Sequence, residues 1–334
     1  MEQNKAASNA LLEIKNLVVE YTSDGQIVHA VNGVSFKLKA GQTIGLVGET
    51  GAGKTTIAKS ILRILPDRSA KIKEGEILLN NEDVVKFSQK ELRSVRGNMV
   101  SMIFQDPMTA LNPCMSVGDQ ISEVIKQHNS VSKKEADVKA GDMLETVGIP
   151  RKRFHEYPHQ FSGGMKQRVV IAIALACNPT LLLADEPTTA LDVTIQAQVL
   201  ELINQLKIKN NTSMILITHD LGVVAETCDD VAIVYAGQIV EMGSKEQVFL
   251  QPMHPYTIGL FASLPNMKDE DDEWLHPIEG LMPDPTNLPS GCCFHPRCPY
   301  ATDKCKNGEI PVQTTPDGHM YRCCNMNKIS QKER

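Results

Sequence analysis

The chain lacks any long apolar run. No stretch approaches the roughly 18 uninterrupted apolar residues of a membrane-crossing helix; the best, residues 169–176, is short and gives way to Cys177 and Asn178. A secretory start is also missing, since residues 1–10 are polar with no basic segment leading into an apolar one. Basic residues are in deficit: 34 Lys and Arg stand against 40 Asp and Glu, with a net charge of −6 and a pI near 5.9. That balance argues against a nucleic-acid binder relying on a broad basic surface. There is no internal repeat and no sustained heptad pattern. Together these absences predict a cytosolic chain that reaches a membrane through a partner. What is present is the make-up of a globular protein, 42% apolar and 22% charged over 334 residues, a length that suggests about two domains.

The nine cysteines are unevenly spread. Cys114, Cys177 and Cys228 are scattered and read as small buried side chains. The other six lie between Cys292 and Cys324, and in a reducing compartment such a cluster points to metal before disulfides. Its framework, Cys292-x5-Cys298-x6-Cys305-x17-Cys323, with His319, Cys293 and Cys324 nearby, has no paired C-x2-C knuckle. Thiolates are soft ligands for iron–sulfur clusters or zinc, and both stay open on the residues alone.

Along the chain, residues 11–21 and 28–38 read as strands joined by a turn at Ser23-Asp24-Gly25. A short buried strand at 43–47 leads through a glycine-rich loop into a helix at 54–65. Strands follow at 75–79 and 100–105, and 116–147 is mainly helical until Pro150 and Pro158 interrupt the chain. From 165 onward helix and strand alternate: helix 165–177, strand 180–184, helix 193–209, strand 213–218, helix 221–227, strand 231–235. Such alternation predicts a mostly parallel sheet with helices on both faces and a phosphate site at its carboxyl edge. Past Gly243 come an acidic run at 269–273, expected to be a solvated loop, and a proline-punctuated linker.

Two segments carry the chemistry. Gly48-Glu49-Thr50-Gly51-Ala52-Gly53-Lys54-Thr55 fits G-x-x-x-x-G-K-[ST], set between strand and helix as that pattern requires. Its glycines let successive N–H groups turn inward beside the positive end of the helix. Lys54 is expected along the β- and γ-phosphates and Thr55 on Mg²⁺, with Thr56 completing the nucleotide-binding run. Leu181-Leu182-Leu183-Ala184-Asp185-Glu186 is an apolar strand closing on two carboxylates. Asp185 is placed to orient the metal's water ligands and Glu186 to polarise an attacking water. The pair predicts hydrolysis of a nucleoside triphosphate.

With these motifs stand Gln105 after a strand, Phe161-Ser162-Gly163-Gly164-Met165-Lys166-Gln167-Arg168, Ala190-Leu191-Asp192 and His219. In that order and spacing, across about residues 11–245, the chain resembles the ATPase subunits of ABC transporters. Phe161 and Met165 depart from the commoner Leu and Gln and are similar to the oligopeptide and dipeptide importer branch. The resemblance implies an α/β fold of the P-loop NTPase, RecA-like kind. It comprises a parallel sheet core, an N-terminal antiparallel β subdomain, a helical subdomain at about 88–165 and a small Cys-rich extension, divided as 1–250 and 251–334. It further implies that Ser162, Gly163 and Gly164 bind the γ-phosphate held by an opposite subunit, with Asp192 at the dimer interface. Gln105 would reach Mg²⁺ and the water and, through residues 106–113, couple to a membrane subunit. His219 would contact the γ-phosphate, and Tyr21, an aromatic at the end of the first strand, would stack on adenine. The absence of an Asn-Lys-x-Asp segment agrees with ATP over GTP.

The tail resembles the same branch in Phe294-His295-Pro296-Arg297-Cys298-Pro299 and in His254-Pro255-Tyr256-Thr257. This implies a 4Fe–4S cluster on Cys292, Cys298, Cys305 and Cys323, with Zn²⁺ as the alternative and Cys293 or Cys324 as substitute ligands. The implied role is an ATP-hydrolysing subunit of an oligopeptide or dipeptide importer, peripheral on the cytoplasmic face of a bacterial or archaeal cell membrane. Its partners would be a second related ATPase (a heterodimer, or a homodimer), two transmembrane permease subunits and, indirectly, an extracytoplasmic solute-binding protein, with no nucleic acid. The same role for nickel or another small solute, or a non-transport ATPase acting on DNA or ribosomes, are the competing readings.

Overall fold

A computed structural model describes residues 10–188, 192–263 and 277–325, so Ala190, Leu191 and the acidic run at 269–273 lie outside the described residues. The chain opens as a long antiparallel hairpin, β1 (Ala10–Ser23) and β2 (Gln26–Lys39). Asp24 and Gly25 turn it at φ 51 and 78, the doubly positive geometry that matches the twist of paired strands. On the other side of β1 runs β4 (Ala70–Leu79), joined to the short β5 (Glu82–Asp83) through Asn80 and Asn81, again both at positive φ. The four-stranded sheet β2-β1-β4-β5 turns Leu12, Ile14, Leu17, Val31, Val34 and Phe36 inward.

The central sheet begins with β3 (Thr43–Val47), all five residues buried. With β6 (Val100–Ile103), β7 (Leu181–Asp185), β8 (Ser213–Ile217) and β9 (Asp230–Tyr235) it forms a parallel array in the order β9-β3-β8-β7-β6. These strands are nearly continuous apolar runs because helices cover both faces. Helix α1 (Lys54–Ile61) leaves the glycine loop and stops four residues short of the expected end, since Arg63 takes a left-handed φ of 49. Helix α2 (Gln89–Val95) starts on a Ser88/Glu91 capping box, and α3 (Pro107–Ala110) is a single turn. The expected helical stretch resolves into α4 (Val117–His128) and α5 (Lys133–Thr146), which Ser132 restarts with its own capping box. These two pack with α6 (Gly163–Leu175) around Ile121, Ile125, Ala140 and Leu144. Helices α7 (Val193–Asn210) and α8 (Leu221–Thr227) follow the paired acids and β8.

Strand β10 (Gln238–Ser244) turns back antiparallel on β9, and helices α9 (Lys245–Leu250) and α10 (Pro255–Ala262) follow. The cysteine-rich tail carries α11 (Asp303–Lys306), β11 (Gln313–Thr314) and β12 (Met320–Tyr321). Strand β12 pairs with β10, so the tail extends the central sheet to eight strands. Glu241 of β10 is fully buried and accepts from His319 Nε2 (2.8 Å) and from the N–H groups of Met253 and His254. Among the described residues no helix is long and apolar enough to cross a membrane.

Candidate active site

The carboxyl ends of β3, β6, β7 and β8 lie along one edge of the sheet, so the residues that follow them share one place. The glycine loop leaves β3 under tight steric terms. A Cβ on Gly48 would lie 2.1 Å from the Val234 carbonyl oxygen, and one on Gly53, at φ 101, would lie 2.3 Å from that of Ala30. Only glycine fits there, and the loop is bent so that α1 points its unpaired first-turn N–H groups at the cleft. Lys54 is buried and donates to the carbonyls of Gly48 (2.6 Å) and Glu49 (2.9 Å). Burial lowers its pKa against the raising pull of Glu186, Asp185 and Glu49.

Thr55 Oγ1 donates to Asp185 Oδ1 at 3.0 Å. Burial, the largest influence on Asp185, raises its carboxyl above the usual range, partly offset by the Thr55 hydrogen bond. Glu186 has a left-handed backbone, φ 46, fixed by its N–H donating to Ile217 O at 2.8 Å. Its Oε2 accepts from Gln105 Nε2 at 2.8 Å, and its Oε1 lies 3.5 Å from His219 Nδ1. A cleft of about 420 Å³ is lined by Ala30, the run from Thr50 to Thr56, Gln105, Glu186 and His219. Tyr21 Oη stands 3.3 Å from Thr56 Oγ1, which puts the aromatic ring beside the start of α1. Thr55, Asp185 and the Gln105 amide are hard oxygen donors, the set that suits Mg²⁺.

Two expected groups lie elsewhere. Ser162, Gly163 and Gly164 do not line the cleft; Ser162 and Gly163 are exposed at the start of α6, and Ser162 makes no side-chain cap bond. A Cβ on Gly163 would meet nothing within 4 Å, and its φ is not positive. Neither conformation nor packing inside this chain therefore calls for glycine at 163. Asp192 precedes α7 and is likewise exposed without a cap bond. Gln167 Nε2 donates to Pro187 O at 2.6 Å, a tie between α6 and the turn after the paired acids that the sequence did not suggest.

The oligopeptide transport ATP-binding protein AppD of Bacillus subtilis is 49% identical over 317 residues, covering 94% of this chain and 96% of that protein. The chain belongs to the ABC transporter family. The dipeptide transport ATP-binding protein DppD of the same organism is 51% identical over 316 residues, covering 94% of each. The family described as "ABC transporter" matches residues 31–189, and that described as "Oligopeptide/dipeptide transporter, C-terminal region" matches 240–305. An ATP-binding cassette solved as a dimer in a post-hydrolysis state with ADP and Pi aligns at TM-score 0.63 and 26% identity, covering 70% of this chain and 98% of that one.

Glu49, grouped by its position with the phosphate loop, points its carboxylate away from the cleft. Both oxygens accept from Arg297 Nη1, at 2.9 and 3.1 Å, and the Glu49 N–H donates to Tyr256 Oη at 3.0 Å. Phe294, buried, packs edge-on against Tyr235 and Tyr256 at 5.3 and 5.5 Å between ring centres. The tail motifs Phe294–Cys298 and His254–Thr257 therefore form the back wall of the phosphate loop.

Cys292, Cys298, Cys305, Cys323 and Cys324 line one small cavity of about 20 Å³, with Cys305 Sγ 3.4 Å from Cys324 Sγ. Cys293 belongs to the apolar core instead, and His319 is bound to Glu241 rather than lining the cavity. Burial pushes the Cys298 and Cys323 thiols up, to about 11 and about 12. For Cys305 burial is outweighed by hydrogen bonds from Thr302, Cys324 and Asn325, and its pKa is lowered. Arg322 also lines the cavity, and its buried Nε has no hydrogen-bond partner. Among the described residues, no three His, Cys, Asp or Glu are set to hold a metal ion. The donor chemistry fits a soft, anionic centre, whereas a space that admits about one water does not fit a cluster at this spacing.

Proposed function

We propose that this chain hydrolyses ATP to drive an importer of oligopeptides or dipeptides, working as one of two ATPase subunits beneath two permease subunits. One observation carries the two-subunit part: Ser162–Gly163 does not line this chain's own cleft, yet this exposed turn has a glycine that nothing within the chain explains. Its N–H groups are an anion site suited to the γ-phosphate of a facing protomer. Asp192, exposed just ahead of α7, belongs to that contact in this reading, since Ile195 of α7 would meet a Cβ on Gly164 at 2.8 Å. A heterodimer with a related ATPase is the form proposed, with a homodimer as the alternative; the names of the relatives support peptides over nickel or another solute.

Within one protomer, Lys54 and the loop amides bind the β- and γ-phosphates, and Tyr21 stacks on adenine. Thr55 and Gln105 would hold Mg²⁺ with Asp185 behind them, and the ion would supply charge neutralisation for the phosphates. Glu186, oriented by Gln105 and His219, takes a proton from the attacking water as it meets the γ-phosphorus. Phe104 and Met108, 41% and 61% exposed, give the segment after β6 an apolar face for a permease. Docking there sets the chain on the cytoplasmic face of the membrane, with the solute-binding protein reached only through the permeases.

The 4Fe–4S cluster on Cys292, Cys298, Cys305 and Cys323, with Zn²⁺ the runner-up, rests in this reading on the soft chemistry of the thiols alone; Cys324 is a fifth thiol at the same wall, and the cavity as it stands would have to widen to admit a cluster. Iron and sulfide in a four-to-four ratio after anaerobic purification is the expected result, and a colourless protein with stoichiometric zinc would exclude it. For the catalytic reading, Glu186→Gln should keep ATP binding while turnover falls at least about a hundredfold; near-normal hydrolysis would remove Glu186 as the base.

A further inference from the structure

We infer that Arg297 and Tyr256 are positioning residues for ATP binding: the C-terminal extension holds Glu49 and so presets the phosphate loop. This rests on the reading of the cleft as an ATP site. Glu49 is the one carboxylate within the loop motif itself, adjacent to Gly48 and to the carbonyl that accepts from Lys54. A carboxylate free to swing into the cleft would face a triphosphate with like charge. Instead it is bound by an arginine 248 residues away in sequence.

That arginine is itself held on every side. Its side chain is 7% exposed; Nε donates to Glu279 O (3.0 Å), Nη2 to Ile278 O (3.3 Å) and Nη1 to Tyr235 Oη (3.3 Å) as well as to Glu49. A planar fork anchored on four residues has a fixed direction, which a lysine's single ammonium cannot copy. Tyr256 Oη adds a second hold, on the Glu49 N–H. From Glu49 the constraint passes into the loop, because its carbonyl accepts from Ala52 N–H (3.1 Å) and from Lys54 Nζ (2.9 Å). The loop's turn and the ammonium's seat are thus set before nucleotide arrives, which lowers the ordering cost of binding.

Two consequences separate this from a purely structural clip. Removing Arg297 should harm ATP binding more than ADP binding, because the released carboxylate repels the more highly charged ligand. Removing the Glu49 charge as well should reverse most of the loss. The experiment measures ATP and ADP affinity and the KM and kcat for ATP in the full chain, for the parent, Arg297→Met, Glu49→Gln and the two combined. Arg297→Met is expected to weaken ATP binding about tenfold with kcat nearly unchanged, and the combined variant to recover to within about threefold of the parent. Parent-like ATP affinity in Arg297→Met, or an equal loss with and without Glu49→Gln, would overturn the inference. Should Arg297→Met fail to fold, Arg297→Gln serves in the same comparison, losing the charge and the fork while keeping a polar head for the Ile278 and Glu279 carbonyls. A parent chain that binds no ATP, or a Lys54→Ala variant that binds it normally, would instead fail the nucleotide reading and leave the two outcomes distinct.

Discussion

Glu49 and Glu186 both act on Lys54, and their neighbours assign them opposite places. Gln105 and His219 hold Glu186 at the cleft, while Arg297 draws Glu49 to the far side of the loop. Two separate motifs were enough to find the two acids, because the spacing within each is local. It could not place the Glu49 side chain, whose partner lies in a segment that sequence reading tied to metal. His254 shows the same limit: it is fully buried, its Nδ1 accepts from the Tyr256 N–H at the start of α10, and burial drives its pKa down to about 3. The unfolded chain takes up this proton near 6.5 and the folded chain near 3, so stability is lost as pH falls between those values, at about 1.4 kcal/mol per pH unit. His254→Asn keeps a side-chain cap and removes the titration. Urea midpoints from pH 7 to pH 5 should therefore fall less steeply in that variant than in the parent; parallel slopes would contradict the assignment.

At the scale of elements, buried strands were the easiest to read. Strands β3, β7 and β8 are short, fully buried and mostly apolar, and their ends are marked by glycine, paired acids or histidine. The first five residues of β4 were missed because Lys71, Lys73 and Glu74 face solvent on an edge-facing half, and pairing with β1 rather than apolar content holds them. Strand β12 was invisible for a stronger reason: two residues become a strand only through pairing with β10 and the equally short β11, and β10 through β9. The Glu241–His319 contact fastens that junction. Glu241→Leu would strand His319 and the N–H groups of Met253 and His254 without their acceptor, at a cost of about 3 kcal/mol or more. Limited proteolysis should then release the tail while the central sheet persists; a tail as resistant as the parent's would show that the junction is held by other contacts.

At the scale of the whole molecule, the family, the fold and the cleft were legible because their residues recur at fixed distances along the chain and meet at one sheet edge. The join between tail and phosphate loop was not, since it depends on Phe294 packing edge-on against Tyr235 and Tyr256 across the core. The chain's most telling feature at this scale is what it leaves uncovered, the turn at Ser162–Gly163 away from its own cleft. Hydrogen exchange on the assembled transporter carrying Glu186→Gln, with and without ATP, addresses it most directly. The account expects ATP to slow exchange at the amides of Gly163, Gly164 and Met165 together with those of the 48–56 loop. Slowing confined to the loop, with the 163–165 amides exchanging as they do without nucleotide, would contradict it.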